Sequence, residues 1–248
     1  GKIVNIGTSI KIPENSIIND LAGKYIYPSF IEIHSSFGIK NPQRNSRSRS
    51  SQYEPSRKGY YWNDHILSDY NSMKDYTYSQ RDAKGLRDIG FGVVNSHRSN
   101  GVHRGTSFTI GLIDNQNESY RIISDKTAEH FSFTRSVTSN QSYPSSTMGA
   151  MALIRQLYYD ADWYSQGISE SKDLALESVI NNRKLPKIFD ANDKLNVYRA
   201  AKISEEFDLE FVIKGSGKEY ENVRELKKFN NKLIIPVNFR NAFDVSNA

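Results

Sequence analysis

Apolar residues recur at two spacings along this chain, and its second half alternates between them. Over Thr147–Gln166 (TMGAMALIRQLYYDADWYSQ), Met148, Met151, Ala152, Ile154 and Leu157 or Tyr158 fall three to four apart, which predicts a helix capped at Ser146 or Thr147. Such a stripe of Met and aromatic side chains reads as core packing. A further helix is expected over about Glu170–Asn182. From there LPKIFDA reads as a strand, DKLNVYRAAKISEEF as a helix capped near Asn192 or Asp193, LEFVIKG as a strand, GKEYENVRELKKF as a helix and KLIIPVNF as a strand. Strand–helix repeats of this length predict a parallel sheet, in a barrel or a doubly wound fold. No Gly-x-Gly-x-x-Gly fingerprint follows a strand, and GSGKEY after Ile213 lacks P-loop spacing, so a barrel is the expectation.

The first half is less regular. KIVNIG, Lys2–Gly7, has the alternation of a short strand, and a turn at Ala22-Gly23 leads into YIYPSFIEIHSS. That run is apolar on both faces, which predicts a parallel strand covered by helices. A helix over Ser79–Ile89 ends at Gly90 and is followed by a strand at Phe91–Ser96. A loop, His97–Arg104, precedes a strand at Gly105–Asp114, and SYRIISD reads as its hairpin partner or an elaboration.

Composition narrows the function classes. The 248 residues carry 12% aromatics against 37% hydrophobics, so an aromatic-rich core is expected. The net charge of +5 comes from 33 basic and 28 acidic residues spread along the chain. The one dense basic run, Arg44–Ser51, lacks an aromatic platform and reads as a surface loop, so no nucleic-acid partner is expected. There is no cysteine, which excludes disulfides and thiolate metal sites. No apolar run reaches the ~18 residues of a membrane span. A Gly-x-Ser-x-Gly nucleophile elbow is absent.

The blocks GKIVNIG…DLAGKYIYPSFIEIHSSFG, GLRDIGFGVVNSHRSNGVHRGTS, YPSSTMGAMALIRQLYYDADWY and LPKIFDANDKLNVYRAAKISEEFDLEFVIKGSGKEY resemble, in order and spacing, the amidohydrolase superfamily and its imidazolonepropionase-like branch. The resemblance implies an α/β fold: a partial (β/α)8 barrel over residues 28–248, C-terminal strands missing, after a β-sandwich fragment at 1–27. It implies a metal-dependent hydrolase of amide-like C–N bonds, with a zinc-type divalent metal at the C-terminal strand ends. It points to an exported or periplasmic protein, a small-molecule substrate or the remaining part of the same protein as partner, and an oligomer. The family's first-strand His-x-His works because side chains two apart share one face of a strand. Here those positions hold His34 and Ser36. The family's later histidine positions fall at Asp190 and Lys214, so the metal site is expected to be impaired. His34 and Asp190 remain candidate ligands, and Lys214 is expected to take the metal's place as a positive charge paired with Asp190.

Other residues offer alternatives. His97 and His103 flank the loop after the second strand and, with His34, form a candidate rearranged site near Arg98 and Arg104. GYYWNDH, with Tyr61 and Trp62, is either a ligand platform over the barrel mouth or an anchor for a long loop. Two functions stay open: a C–N hydrolase, and a catalytically silent barrel that binds a ligand or partner near Trp62.

Overall fold

The structure, a computed structural model, describes residues 3–40, 42–44, 51–53, 59–114, 118–191 and 193–236. Most of the basic run, residues 45–50, and Asn192 lie outside them. Two sheets and five helices carry the described chain. The first sheet has the order β1-β2-β4-β5, from β1 (Phe30–Ser35), β2 (Phe91–Ser96), β4 (Phe108–Gly111) and β5 (Ile122–Ser124). Only β1 and β2 are parallel; β4 and β5 run antiparallel, which gives SYRIISD its hairpin role. The second sheet has the order β3-β6-β7-β8-β9, from β3 (His103–Thr106), β6 (Glu129–Ser132), β7 (Lys187–Asp190), β8 (Phe211–Lys214) and β9 (Lys232–Ile234). Its last four strands are parallel and linked through helices, while β3 pairs antiparallel with β6. The result is a mixed α/β fold with two separate ladders.

The helices start where short polar side chains can take the free N–H groups of a first turn. Ser79 accepts from Asp82 N at the start of α1 (Gln80–Asp88), and Ser146 from Gly149 N at the start of α2 (Thr147–Ser165). Asp173 caps α3 (Leu174–Asn181), and Asp193 caps α4 (Lys194–Glu206). Gly90, at φ 97°, turns the chain out of α1 into β2. The final helical block shortens to a 3₁₀ turn and α5 (Val223–Leu226).

The larger core lies between the second sheet and α2, α3 and α4. Phe131, Phe189 and Phe211 stack from neighbouring strands, with ring centroids 5.4–6.3 Å apart, against Leu153, Ile154 and Leu157. A smaller core joins α1 to β2 and β4 through Ala83, Val94, Phe108 and Ile110. The α2 stripe buries Met151, Ile154, Leu157 and Tyr158 as expected and is widened by Ala150, Leu153 and Ala161, while Met148 and Ala152 are exposed.

Three expectations in the first 36 residues change. Residues 3–29 contain no strand, so neither the strand at Lys2–Gly7 nor a β-sandwich over residues 1–27 forms among the described residues. A single strand gains no hydrogen bonds without a partner, and none is supplied there. β1, a sheet edge paired only to β2, is not covered on both faces: Phe30, Ile31 and Ile33 are exposed. No helix among the described residues is long and apolar enough to cross a membrane.

Candidate metal centre

Strand alternation sorts β6 into two faces. Phe131 points into the helix-covered core, so His130 and Ser132 face the opposite way. His34 near the end of β1, and His97, whose backbone N donates to Ser35 O at 3.0 Å just after β2, reach the same place. The His97 and His130 rings stack at 3.8 Å, and His34 lies edge-on to His97 at 4.3 Å. One ligand nitrogen from each of His34, His97 and His130 lies within 4.8 Å of the others.

These imidazoles have few polar partners. His34 Nε2, both ring nitrogens of His97 and His130 Nε2 are buried and form no hydrogen bond to any protein atom. Burial first, with the nearby Lys214 and Arg104 charges added to it, lowers the His34 pKa to about 4 against a raising effect of Asp190. His97 and His130 are likewise pushed well below the ordinary histidine value, by burial first and then by the mutual repulsion that charging two adjacent imidazoles would bring, with Arg104 adding to it. All three are therefore neutral at pH 7, the form that binds metal. Three neutral imidazoles with a fourth position free make the donor set of a hydrolytic zinc centre. Tetrahedral bonds of ~2.1 Å place donors ~3.4 Å apart, inside the 4.8 Å within which these nitrogens lie, and the stacked His97 and His130 rings would turn to aim at one ion. The residues fit such an ion in type and reach.

A charged group stands beside the histidines. Asp190 Oδ1 accepts from Lys214 Nζ at 2.8 Å, and Oδ2 from Arg104 Nη1 at 3.0 Å. Burial alone would raise the Asp190 pKa, but Arg104 and Lys214 outweigh it and hold the carboxyl at about 2. Asp190 is thus committed to two cations and is not in the histidine group. Ser36 is an exposed residue of the turn after β1, its carbonyl accepting from Ile39 N at 3.0 Å.

The expected partnership of His34 and His97 with His103 does not form. His103 faces the helix side, where its Nδ1 accepts from Gly105 N and its Nε2 lies 3.5 Å from the buried Glu129 carboxylate. His130 replaces it. The alternation of His130 and Ser132 with Phe131 and Phe133 is the signal that could have found β6, but it spans too few residues to identify a strand by itself. Arg98 leaves the site to cover the Tyr70 ring at 4.9 Å, whereas Arg104 stays.

Of the two readings of the aromatic stretch, its contacts favour the anchor. Tyr61 is buried in the larger core and donates to Asp160 at 2.7 Å, and Trp62 stacks on Tyr143. Gln141 ties this segment down by donating to Trp62 O and accepting from Asp64 N. These contacts make the stretch an anchor for its loop.

No protein-family profile matches this sequence, and no curated protein matches it. Among solved structures, the fold is similar to the crystal structure of an amidohydrolase from Thermotoga maritima MSB8, with a TM-score of 0.69 and 18% sequence identity. The alignment covers 94% of this chain and 62% of that one. At this identity the likeness defines a fold in common, an amidohydrolase-like α/β architecture.

Proposed function

We propose that this chain carries a mononuclear divalent-metal site on His34, His97 and His130, within a hydrolase of amide-like C–N bonds. The observation that supports this best is the set of neighbouring neutral imidazoles, each with at least one buried ring nitrogen that has no protein partner. Similarity in fold to an amidohydrolase supports the reaction class. A zinc-type ion, when bound, supplies a Lewis acid that polarises a carbonyl and lowers the pKa of an attacking water. The protein's part is to present three uncharged donors from two sheets and to keep them dry enough to stay uncharged. Asp190, tied to Lys214 and Arg104, is a poor proton acceptor and serves to hold those two cations in place. The ligand set differs from the one implied by His34 and Ser36, since His97 and His130 complete it from neighbouring strands.

A second reading, a catalytically silent barrel, is favoured by one observation: two cations and one anion leave a net positive charge beside the histidines. Metal content by mass spectrometry, after incubation with zinc or manganese and dialysis, separates the two. About one ion per chain is expected, lost in His34→Ala and in His130→Ala. A folded protein that retains no metal would leave the silent barrel as the surviving reading. Retention would lead to assays on cyclic amides and dipeptides.

A further inference from the structure

The parallel register fixes how the charged group stands to the histidines. Ser132, Asp190 and Lys214 lie abreast on β6, β7 and β8, and His130 sits two residues before Ser132 on the same face. The Asp190 carboxylate is therefore the anion set directly beyond the imidazole group, and both of its oxygens are taken by cations. Arg104 is 4% exposed and fixed in the interior, while the Lys214 side chain is 28% exposed and reaches Asp190 from the open side.

We infer that Lys214 governs the cation affinity of the His34–His97–His130 site: its ammonium occupies Asp190 and holds affinity for a divalent ion well below that of three imidazoles alone. This rests on the reading of the three histidines as a metal site. An incoming dication meets Lys214 and Arg104 with only one negative charge between them, and like charges in a partly buried site are poorly screened. Removing the Lys214 charge leaves Asp190 and Arg104 to neutralise one another, so the dication then approaches a neutral pair. Arg104 cannot play this part, because it remains the buried partner that keeps Asp190 ionised. Lys214 thus acts on the site through its charge and not as a ligand.

The test is a zinc titration of the whole chain in competition with a chromophoric chelator, which reads binding and not turnover. Lys214→Met is expected to bind zinc at least about tenfold more tightly than the unaltered protein. Lys214→Arg, which keeps the charge, should stay within about twofold. Lys214→Gln supplies a second neutral side chain, should the methionine disturb folding as read by circular dichroism. Equal affinities for the unaltered protein and both neutral variants, all abolished by His130→Ala, would overturn this role for Lys214 and leave the metal site standing. Zinc binding no tighter than that of His130→Ala in every variant would overturn both.

Discussion

Asp190→Asn tests the charged group in isolation. The substitution keeps the shape of the side chain and one acceptor oxygen but removes the charge that stands 3.0 Å from Arg104 and 2.8 Å from Lys214. The folded carboxyl pKa of about 2, against 3.8 unperturbed, means that ionised Asp190 contributes about 2.5 kcal/mol at neutral pH, at about 1.4 kcal/mol per unit. The amide also strands Arg104, almost wholly buried, without a counter-charge; breaking a buried pair costs about 3–5 kcal/mol. A loss of about 3 kcal/mol is expected, or a fall of about 6–12 °C in Tm for a chain of this size. The assay is urea unfolding at pH 7 and pH 3. Because the folded pKa lies below the unfolded one, the contribution of Asp190 is complete above about pH 4 and is lost as pH falls towards 2. Roughly half of it should remain at pH 3, narrowing the gap between the two proteins. An Asp190→Asn protein within about 0.5 kcal/mol of the original at pH 7, or a gap that does not narrow in acid, would refute the reasoning.

Three further outcomes are expected. Gly105→Ala should destabilise by more than about 3 kcal/mol, visible as a large fall in Tm or loss of soluble protein, because Gly105 has φ 77° and a Cβ there would collide with the Tyr70 carbonyl oxygen. The metal-free protein should lose stability as pH falls from 6.5 towards 4, since unfolding lets His34 take up a proton that the fold denies it. His34 alone accounts for about 3 kcal/mol of that slope, and His34→Asn should flatten the stability profile measured by urea unfolding between pH 7 and 4.5. Ser146→Ala should cost about 1 kcal/mol in the same assay by freeing the Gly149 amide, and Ser146→Asp should restore it.

Regular packing makes much of the second half legible from sequence. The Asp193 cap and the apolar spacing of α4, and the short apolar runs of β7 and β8, are local signals that the tertiary structure leaves in place. β6 is harder to read because four residues give little periodicity, and with it His130 escapes notice. The choice between His103 and His130 as third histidine depends on sheet register: His103 pairs with Phe131 and shares its face, towards Glu129 and the helices. Nothing local in the sequence encodes that register. Tyr61 likewise looks available in an aromatic loop, but its burial is decided by Asp160 on α2, 99 residues away. The Asp190–Lys214 pair is within reach of sequence reasoning, because both residues end adjacent parallel strands. Arg104, which joins them from β3, is not.

The three imidazoles come from both ladders, His34 and His97 from the first and His130 from the second. An ion seated on them would act as a rivet across the seam, so its binding free energy would become mechanical cohesion between two halves that share no strand ladder. By mass action that is about 2.7 kcal/mol at a free-ion concentration about a hundred times Kd. Slower amide exchange along β1, β2 and β6 on adding metal, with the distant β9 unchanged, would be its signature. Chelators would then act on this protein first as agents of loosening, and only second as inhibitors.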